Sequence, residues 1–205
     1  MTPDYWAQAK RSLARSDPTL ARIMRRHPGI ALKRRGKPFF TLARAIVGQQ
    51  ISVKAADSVW RRFVDTVEAV EPGPVLETSR PALLACGLSR RKAEYIFDLA
   101  RHFSSGVIDP GSWTLLADEA VIERLTDVRG IGRWTAEMFL IFNMLRPNVL
   151  PLDDLGLQRA IRLNYFSGRK TSAAAIKRLA RNWEPWRSVA TWYLWRSLDP
   201  VPVEY

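Results

Sequence analysis

Two adjacent carboxylates, Asp153 and Asp154, follow Pro151 and Leu152 and open a run with helical spacing. Asp is a preferred helix N-cap, because its side chain accepts an amide that the first turn leaves without a partner. A carboxylate can also face a cation that develops during a reaction. The two residues alone leave both roles open. Upstream, residues 125–136 read Leu-Thr-Asp-Val-Arg-Gly-Ile-Gly-Arg-Trp-Thr-Ala, with Gly130 and Gly132 one residue apart. Glycines there permit a tight turn and keep Cβ atoms off the backbone. Amides that follow such a turn at a helix N-terminus suit a phosphate oxygen. Gly-Ile-Gly by itself is also an ordinary helix–helix turn, so the longer string and its setting carry the weight. Eight tryptophans stand at 6, 60, 113, 134, 183, 186, 192 and 195, half of them in the last 23 residues. Large aromatics fill cores and also stack on bases, and composition does not choose between these uses.

The elements that must position these residues read as helices. Phe39, Leu42, Ala43, Ile46 and Val47 recur at helical spacing, as do Val53, Ala56, Val59, Trp60, Phe63 and Val64. Asp17-Pro18 is a cap followed by a first-turn proline, and the stretch 71–74, Glu-Pro-Gly-Pro, is a break. Thr78 or Ser79 caps a short helix ending at Gly87, and Ser89 caps the run from Arg90 to Ser105. Asp118 is expected to cap Glu119–Leu125. Later helices are expected over 133–145, 154–166, 171–182 and 185–198. No strand alternation or hairpin dipeptide is present, and an all-α fold of roughly ten short helices follows. The two prolines in 146–151 mark a crossover between two lobes of loop length, not a flexible linker.

Charge narrows the function. The 205 residues hold 32 Lys and Arg against 20 Asp and Glu, a net +12. Residues 1–44 supply +9 of it, with 11 basic side chains against Asp4 and Asp17. Such an excess fits a polyanion partner, although an Arg-rich surface with no such partner is an equally physical source. One cysteine, Cys86, excludes an internal disulfide, a cysteine zinc site and a four-cysteine iron–sulfur cluster. His27 and His102 lack metal-pair spacing, and Cys86 reads as a core residue. The segment Ser89–Lys92 is either a solvated face or a phosphate contact. No apolar run is long enough to span a bilayer and no signal peptide is apparent, so a cytoplasmic protein is expected.

Four segments together resemble the helix–hairpin–helix DNA glycosylases, most closely the 3-methyladenine DNA glycosylase II branch. They are 45–56, Ala-Ile-Val-Gly-Gln-Gln-Ile-Ser-Val-Lys-Ala-Ala, then the hairpin at 125–136, Pro-Leu-Asp-Asp at 151–154, and Trp-Glu-Pro-Trp-Arg-Ser-Val-Ala at 183–190. The likeness runs over about residues 38–198. Larger bacterial members carry a further N-terminal domain, for which residues 1–37 leave no room. The resemblance implies two helical lobes with the active-site cleft between them. One would span 38–147 and carry the hairpin. The other would combine 1–37 with 148–205 and carry the catalytic Asp.

On that resemblance Asp154 is the catalytic carboxylate and Asp153 the cap. Trp134 and Trp195 would wall a base pocket beside Asp154, with Trp186 packed beneath it. Arg187 would pair with an acid or support Asp154. Gln50 would wedge into the stack where a base has been flipped out. Ser52, Lys54, Arg129, Gly130, Gly132 and Arg133 would hold phosphates. No cofactor is expected beyond a structural Na+ or K+ on backbone carbonyls near Val128 and Gly130. Members that also cut the strand have a lysine two residues after the second hairpin glycine, whose amine attacks the sugar. Trp134 stands there instead. The expected enzyme is therefore a monofunctional base excision repair glycosylase. It would act as a monomer on double-stranded DNA with cationic alkylated bases, near the nucleoid, and leave an abasic site. A non-catalytic helix–hairpin–helix module that grips distorted duplex is the alternative, and it has no use for a carboxylate beside an aromatic pocket.

Overall fold

Small polar side chains and prolines start most of the helices. The computed structural model describes residues 2–199. Among them run α1 (Trp6–Ser16), α2 (Pro18–Arg26), α3 (Pro38–Gly48), α4 (Val53–Thr66), α5 (Pro72–Glu77), α6 (Arg80–Ala85) and α7 (Arg90–Ser104). They are followed by α8 (Asp118–Thr126), α9 (Arg133–Phe142), α10 (Leu155–Tyr165), α11 (Ala173–Ala180) and α12 (Arg187–Arg196). Short 3-10 turns lie at Ser112–Leu115 and Arg181–Trp183, and no strand occurs among the described residues. Ser52, Ser79, Ser89 and Ser172 each accept an amide three residues on, as N-cap side chains do.

Three local expectations are corrected. The 71–74 stretch does interrupt the chain, but Pro72 also begins α5, since a first-turn proline gives up no helical hydrogen bond. Asp118 lies inside α8, and its cap position, Ala117, offers no side-chain bond. Asp118 and Glu119 instead place negative charge in the first turn, where the helix dipole favours it. Asp154, not Asp153, is the N-cap of α10.

The described chain divides into two compact units. One runs from Arg35 to Phe139. Its core joins Phe39, Leu42 and Ile46 of α3, Phe63 of α4, and Ile96 and Leu99 of α7, all buried. The other combines the residues up to Arg34 with those from Leu140 on. At its centre α12 is buried continuously from Ser188 to Leu194, as befits a helix surrounded by others. Trp6 of α1 meets Trp192 edge-on at 5.4 Å and stacks on Tyr193 at 5.8 Å. Each such aromatic pair adds roughly 0.5–1.5 kcal/mol beyond area burial. Burial also pushes the Tyr193 hydroxyl up to about 12.

The division falls inside α9, ahead of the boundary expected at 147. The 146–149 crossover is tied to the start of α12, which explains this. The Ser188 hydroxyl donates to the Arg146 carbonyl at 2.6 Å and accepts from the Val149 amide at 2.9 Å, and the Ser188 amide donates to Pro147 at 2.9 Å.

Asp17 organises this second unit. It is 6% exposed, and one oxygen accepts the Thr19 and Leu20 amides at 2.9 and 3.0 Å. The other oxygen accepts the Tyr165 hydroxyl at 2.7 Å and the Trp183 indole N–H at 3.0 Å. Burial, reinforced by this carboxylate, drives the Tyr165 hydroxyl far above its ordinary range. Asp17→Ala removes the cap and leaves the buried Trp183 indole and the half-buried Tyr165 hydroxyl without this acceptor, a loss of about 3 kcal/mol. Thermal unfolding of that variant is expected to show a midpoint lower by about 6–12 °C. A midpoint within a degree or two of the parent would refute the role assigned to Asp17.

Candidate active site

Asp154 carries two roles at once. As N-cap, its Oδ1 accepts the Leu157 amide at 2.6 Å. The same oxygen accepts the indole N–H of Trp195, from the last turn of α12, at 2.8 Å. Pro151 positions the turn, because its carbonyl accepts the Asp154 amide at 3.0 Å. Gln158 steadies it from the next turn by donating to the Leu152 carbonyl at 2.9 Å. The carboxylate rotamer is therefore set from two directions, by its own helix and by α12.

Trp195 is held in turn. Phe142, the last residue of α9, stacks on it at 5.8 Å with the planes 14° apart. Gly156, which sequence reasoning did not single out, makes the approach possible. A Cβ at 156 would lie 3.1 Å from Asp154 Oδ1 and 3.4 Å from Trp195 Cδ1. The pattern Asp-Leu-Gly was the available signal, since a glycine in a helix's first turn needs a reason.

Trp186 and Arg187 lie next to one another at the start of α12 and face different partners. Trp186 stacks on Tyr5 at 5.6 Å, and the Tyr5 hydroxyl donates to the Leu145 carbonyl at 2.7 Å. Burial raises the Tyr5 hydroxyl well above its usual range. Arg187 donates to the Asn148 side chain at 2.9 Å and pairs with Glu184 at 3.1 Å. Of the two roles expected for Arg187, pairing with an acid is the one its contacts show.

In the other unit, the hairpin occupies 127–132 between α8 and α9. Gly130 has φ +88°, and an added Cβ would overlap the Tyr95 ring. Nothing comparable constrains Gly132, where a Cβ would meet no atom within 4 Å. Neither backbone conformation nor packing requires a glycine at 132. The amides of Gly130, Gly132 and Arg133 donate to no acceptor among the described residues. They form an amide cluster at the start of α9.

The two hairpin arginines are occupied. Arg133 pairs with Glu119 at 2.5 Å and with Glu137 at 3.1 Å, and the bonds to Glu119 raise the guanidinium further and lower Glu119. Arg129 reaches Glu94 at 3.2 Å, while its amide donates to Asp98 at 2.9 Å. Their charges tie the turn to α7, α8 and α9, and both side chains stay more than half exposed beside the amide cluster.

Gln50 is exposed with φ +59°, an unusual conformation for a residue other than glycine. Two contacts maintain it. Gln49, overlooked in the sequence, donates its side-chain amide to the Gly130 carbonyl at 2.8 Å. Lys92, from the first turn of α7, donates to the Val47 carbonyl at 2.8 Å, and its partial burial lowers its pKa. The loop that carries Gln50 and the hairpin are thus indexed to each other through Gln49 and α7. Ser52 caps α4, Lys54 is exposed in its first turn, and Trp134 is 42% exposed in the first turn of α9.

Residues 43–185 match the HhH-GPD superfamily base excision DNA repair protein model, and the chain belongs to that family. It is 33% identical over 165 residues to DNA-3-methyladenine glycosylase 1 of Schizosaccharomyces pombe, covering 78% of this chain and 72% of the relative. Among solved structures it is similar to the DNA-3-methyladenine glycosidase of Bacillus halodurans, with a TM-score of 0.86 and 33% identity over 93% of this chain and 89% of that one. The S. pombe 3-methyladenine DNA glycosylase in complex with abasic DNA matches with a TM-score of 0.79 and 30% identity, over 93% of this chain and 96% of that one.

Gly156→Ala tests the carboxylate–indole contact. The added methyl, 3.1 Å from Asp154 Oδ1, is expected to shift the carboxylate beneath the indole, moving one indole N–H resonance in a two-dimensional NMR spectrum. The helix preference of alanine, about 1 kcal/mol, is offset by the crowded carboxylate and its disturbed hydrogen bonds, so the unfolding midpoint is expected to hold or fall. An unmoved indole resonance would sink this account of Gly156.

Proposed function

We propose that this chain is a monofunctional alkylbase DNA glycosylase, which hydrolyses the N-glycosidic bond of a cationic alkylated base and leaves an abasic site. The observation that carries this is the Asp154 carboxylate, set by the Trp195 indole and the first turn of α10, in a member of a base excision repair family. The substrate class in the names of its relatives, 3-methyladenine, fits a site whose working group is one carboxylate.

A base alkylated on a ring nitrogen already bears positive charge. Its bond to the sugar is weakened, and it departs without a strong general acid. The sugar becomes oxocarbenium-like as it leaves. Asp154 stabilises that charge, and its fixed orientation means that little reorganisation is needed at the moment of reaction. It also directs the attacking water. Trp195 and the exposed indole of Trp134 offer electron-rich faces, and a cation over such a face gains about 0.5–2 kcal/mol. That gain is withheld from neutral normal bases. Trp186 supports the start of α12 through Tyr5, and Arg187 secures the crossover to it.

DNA is held by the amides of Gly130, Gly132 and Arg133, with Ser52 and Lys54 on neighbouring phosphates. Gln50 fills the stack when the base is extruded, a step that costs a few kcal/mol. The Val128 carbonyl accepts the Ile131 amide and the Gly130 carbonyl accepts Gln49, so each oxygen keeps a second lone pair. A Na+ or K+ fits those carbonyls and would add positive charge at the hairpin. The enzyme works as a cytoplasmic monomer at the nucleoid. No helix among the described residues is long and apolar enough to cross a membrane.

Two measurements test the reading. Asp154→Asn is expected to bind duplex DNA as the parent does and to release methylated bases about 10²–10³-fold more slowly or worse. Release at the parent's rate would overturn the assignment. Borohydride should trap no covalent protein–DNA adduct, because Trp134 has no amine to form a Schiff base. A trapped adduct would show a lyase.

A further inference from the structure

The two units differ sharply in charge. Residues 35–139 carry 14 Lys and Arg against 13 Asp and Glu, whereas residues 1–34 and 140–199 carry 18 against 6. The unit with the hairpin is nearly neutral, and many of its cations are matched. Lys37 pairs with Glu71, Arg44 with Asp57, Arg80 and Arg129 with Glu94, and Arg133 with Glu119 and Glu137. A hairpin that offers amides with its arginines engaged grips a phosphate at short range. It exerts little attraction at a distance.

The excess charge has a definite focus in the other unit. Tyr165 from the end of α10 and Trp183 from the following 3-10 turn both donate to Asp17, between α1 and α2. Arg15, Arg22, Arg169, Lys170, Arg178 and Arg181 each lie within five residues along the chain of one of these three joined side chains. All six are exposed, and none makes an ion pair or a side-chain hydrogen bond among the described residues. Arg22 lies close enough to Tyr165 for its charge to oppose the rise of that hydroxyl's pKa. Asp17 is turned inward with four donors on it, and Glu184, just past Trp183, is taken by Arg187 at 3.1 Å.

We propose that this corner of α1, α2, α10 and α11 is a second DNA-contact surface, which holds the phosphate backbone of duplex DNA through charge and supplies the sequence-independent attraction that the hairpin unit lacks. The proposal rests on the reading of the protein as one that works on DNA. Duplex is favoured over single strands because the aromatic rings at the corner, Tyr165 and Trp183, are committed inward to Asp17. Trp183 is fully buried and Tyr165 is tied to Asp17, so neither ring is free to turn outward and stack on an unpaired base.

The test uses the full chain with Arg22→Gln, Arg169→Gln and Arg181→Gln combined. Its binding to a short undamaged duplex is followed by fluorescence anisotropy across a salt titration. Neutralising three phosphate contacts is expected to shrink the slope of log K against log salt by about 2–3. Affinity at physiological salt should fall at least ~10-fold with the unfolding midpoint unchanged. A control with Arg61→Gln, Arg101→Gln and Arg124→Gln, exposed residues of the other unit, should keep the parent slope. An unchanged slope in the first variant, or an equal loss in the control, overturns the proposal. So does tighter binding of the parent to single-stranded RNA or to anionic phospholipid vesicles than to duplex. Base release from methylated duplex at saturating protein should be unaltered in the first variant. If the parent releases no base at all, the glycosylase reading fails while the salt slopes still decide this surface.

Discussion

One hydrogen bond sets the terms for the rest of the site: the Trp195 indole N–H on Oδ1 of Asp154, at 2.8 Å. It joins the first turn of α10 to the last turn of α12, and it depends on three other residues. Gly156 leaves room for the indole edge, Phe142 backs its face, and the Leu157 amide holds the same oxygen from the helix side. A carboxylate constrained in this way cannot swing to follow a substrate. On the mechanism proposed above, the substrate would be brought to it and positive charge would develop in one place.

The two units contribute by different physics. The hairpin unit spends its polar groups on geometry. Arg133, Arg129, Gln49 and Lys92 tie the glycine turn, the Gln50 loop and α7 into one frame. A frame of that kind presents amides and a strained residue in fixed positions, at the expense of free charge. The unit of α1, α2 and α10–α12 keeps its cations exposed around a buried Asp17. On the functions proposed above, directional grip and long-range attraction would fall to separate sets of residues.

Much of the fold was legible because its signals are local. Ser52, Ser79, Ser89 and Asp17 cap helices where their positions before apolar periodic runs say they should. The misreadings share one cause. Asp118 and Asp153 are as good capping residues in isolation as the ones that serve, and only the path of the backbone decides which side chain lies over the first-turn amides. Arg129 and Arg133, which the resemblance sets among the phosphate-holding residues, are also ion-paired within their own unit. Their partners, Glu94 and Glu119, are 35 and 14 residues away, and no local pattern announces them.

The order of residues along the chain was enough to establish an all-helical protein, a Gly-Ile-Gly turn between two helices and an acidic helix start downstream, since propensity, periodicity and glycine permissiveness act over a few neighbours. Tertiary structure alone decided that the capping carboxylate and the one held by Trp195 are the same residue, that Gly156 is there for the indole, and that Gln49 grips the hairpin. Each of these is a contact between segments separated in sequence by more than a turn of helix or made by a vacancy, and such contacts exist only once packing has closed the distance.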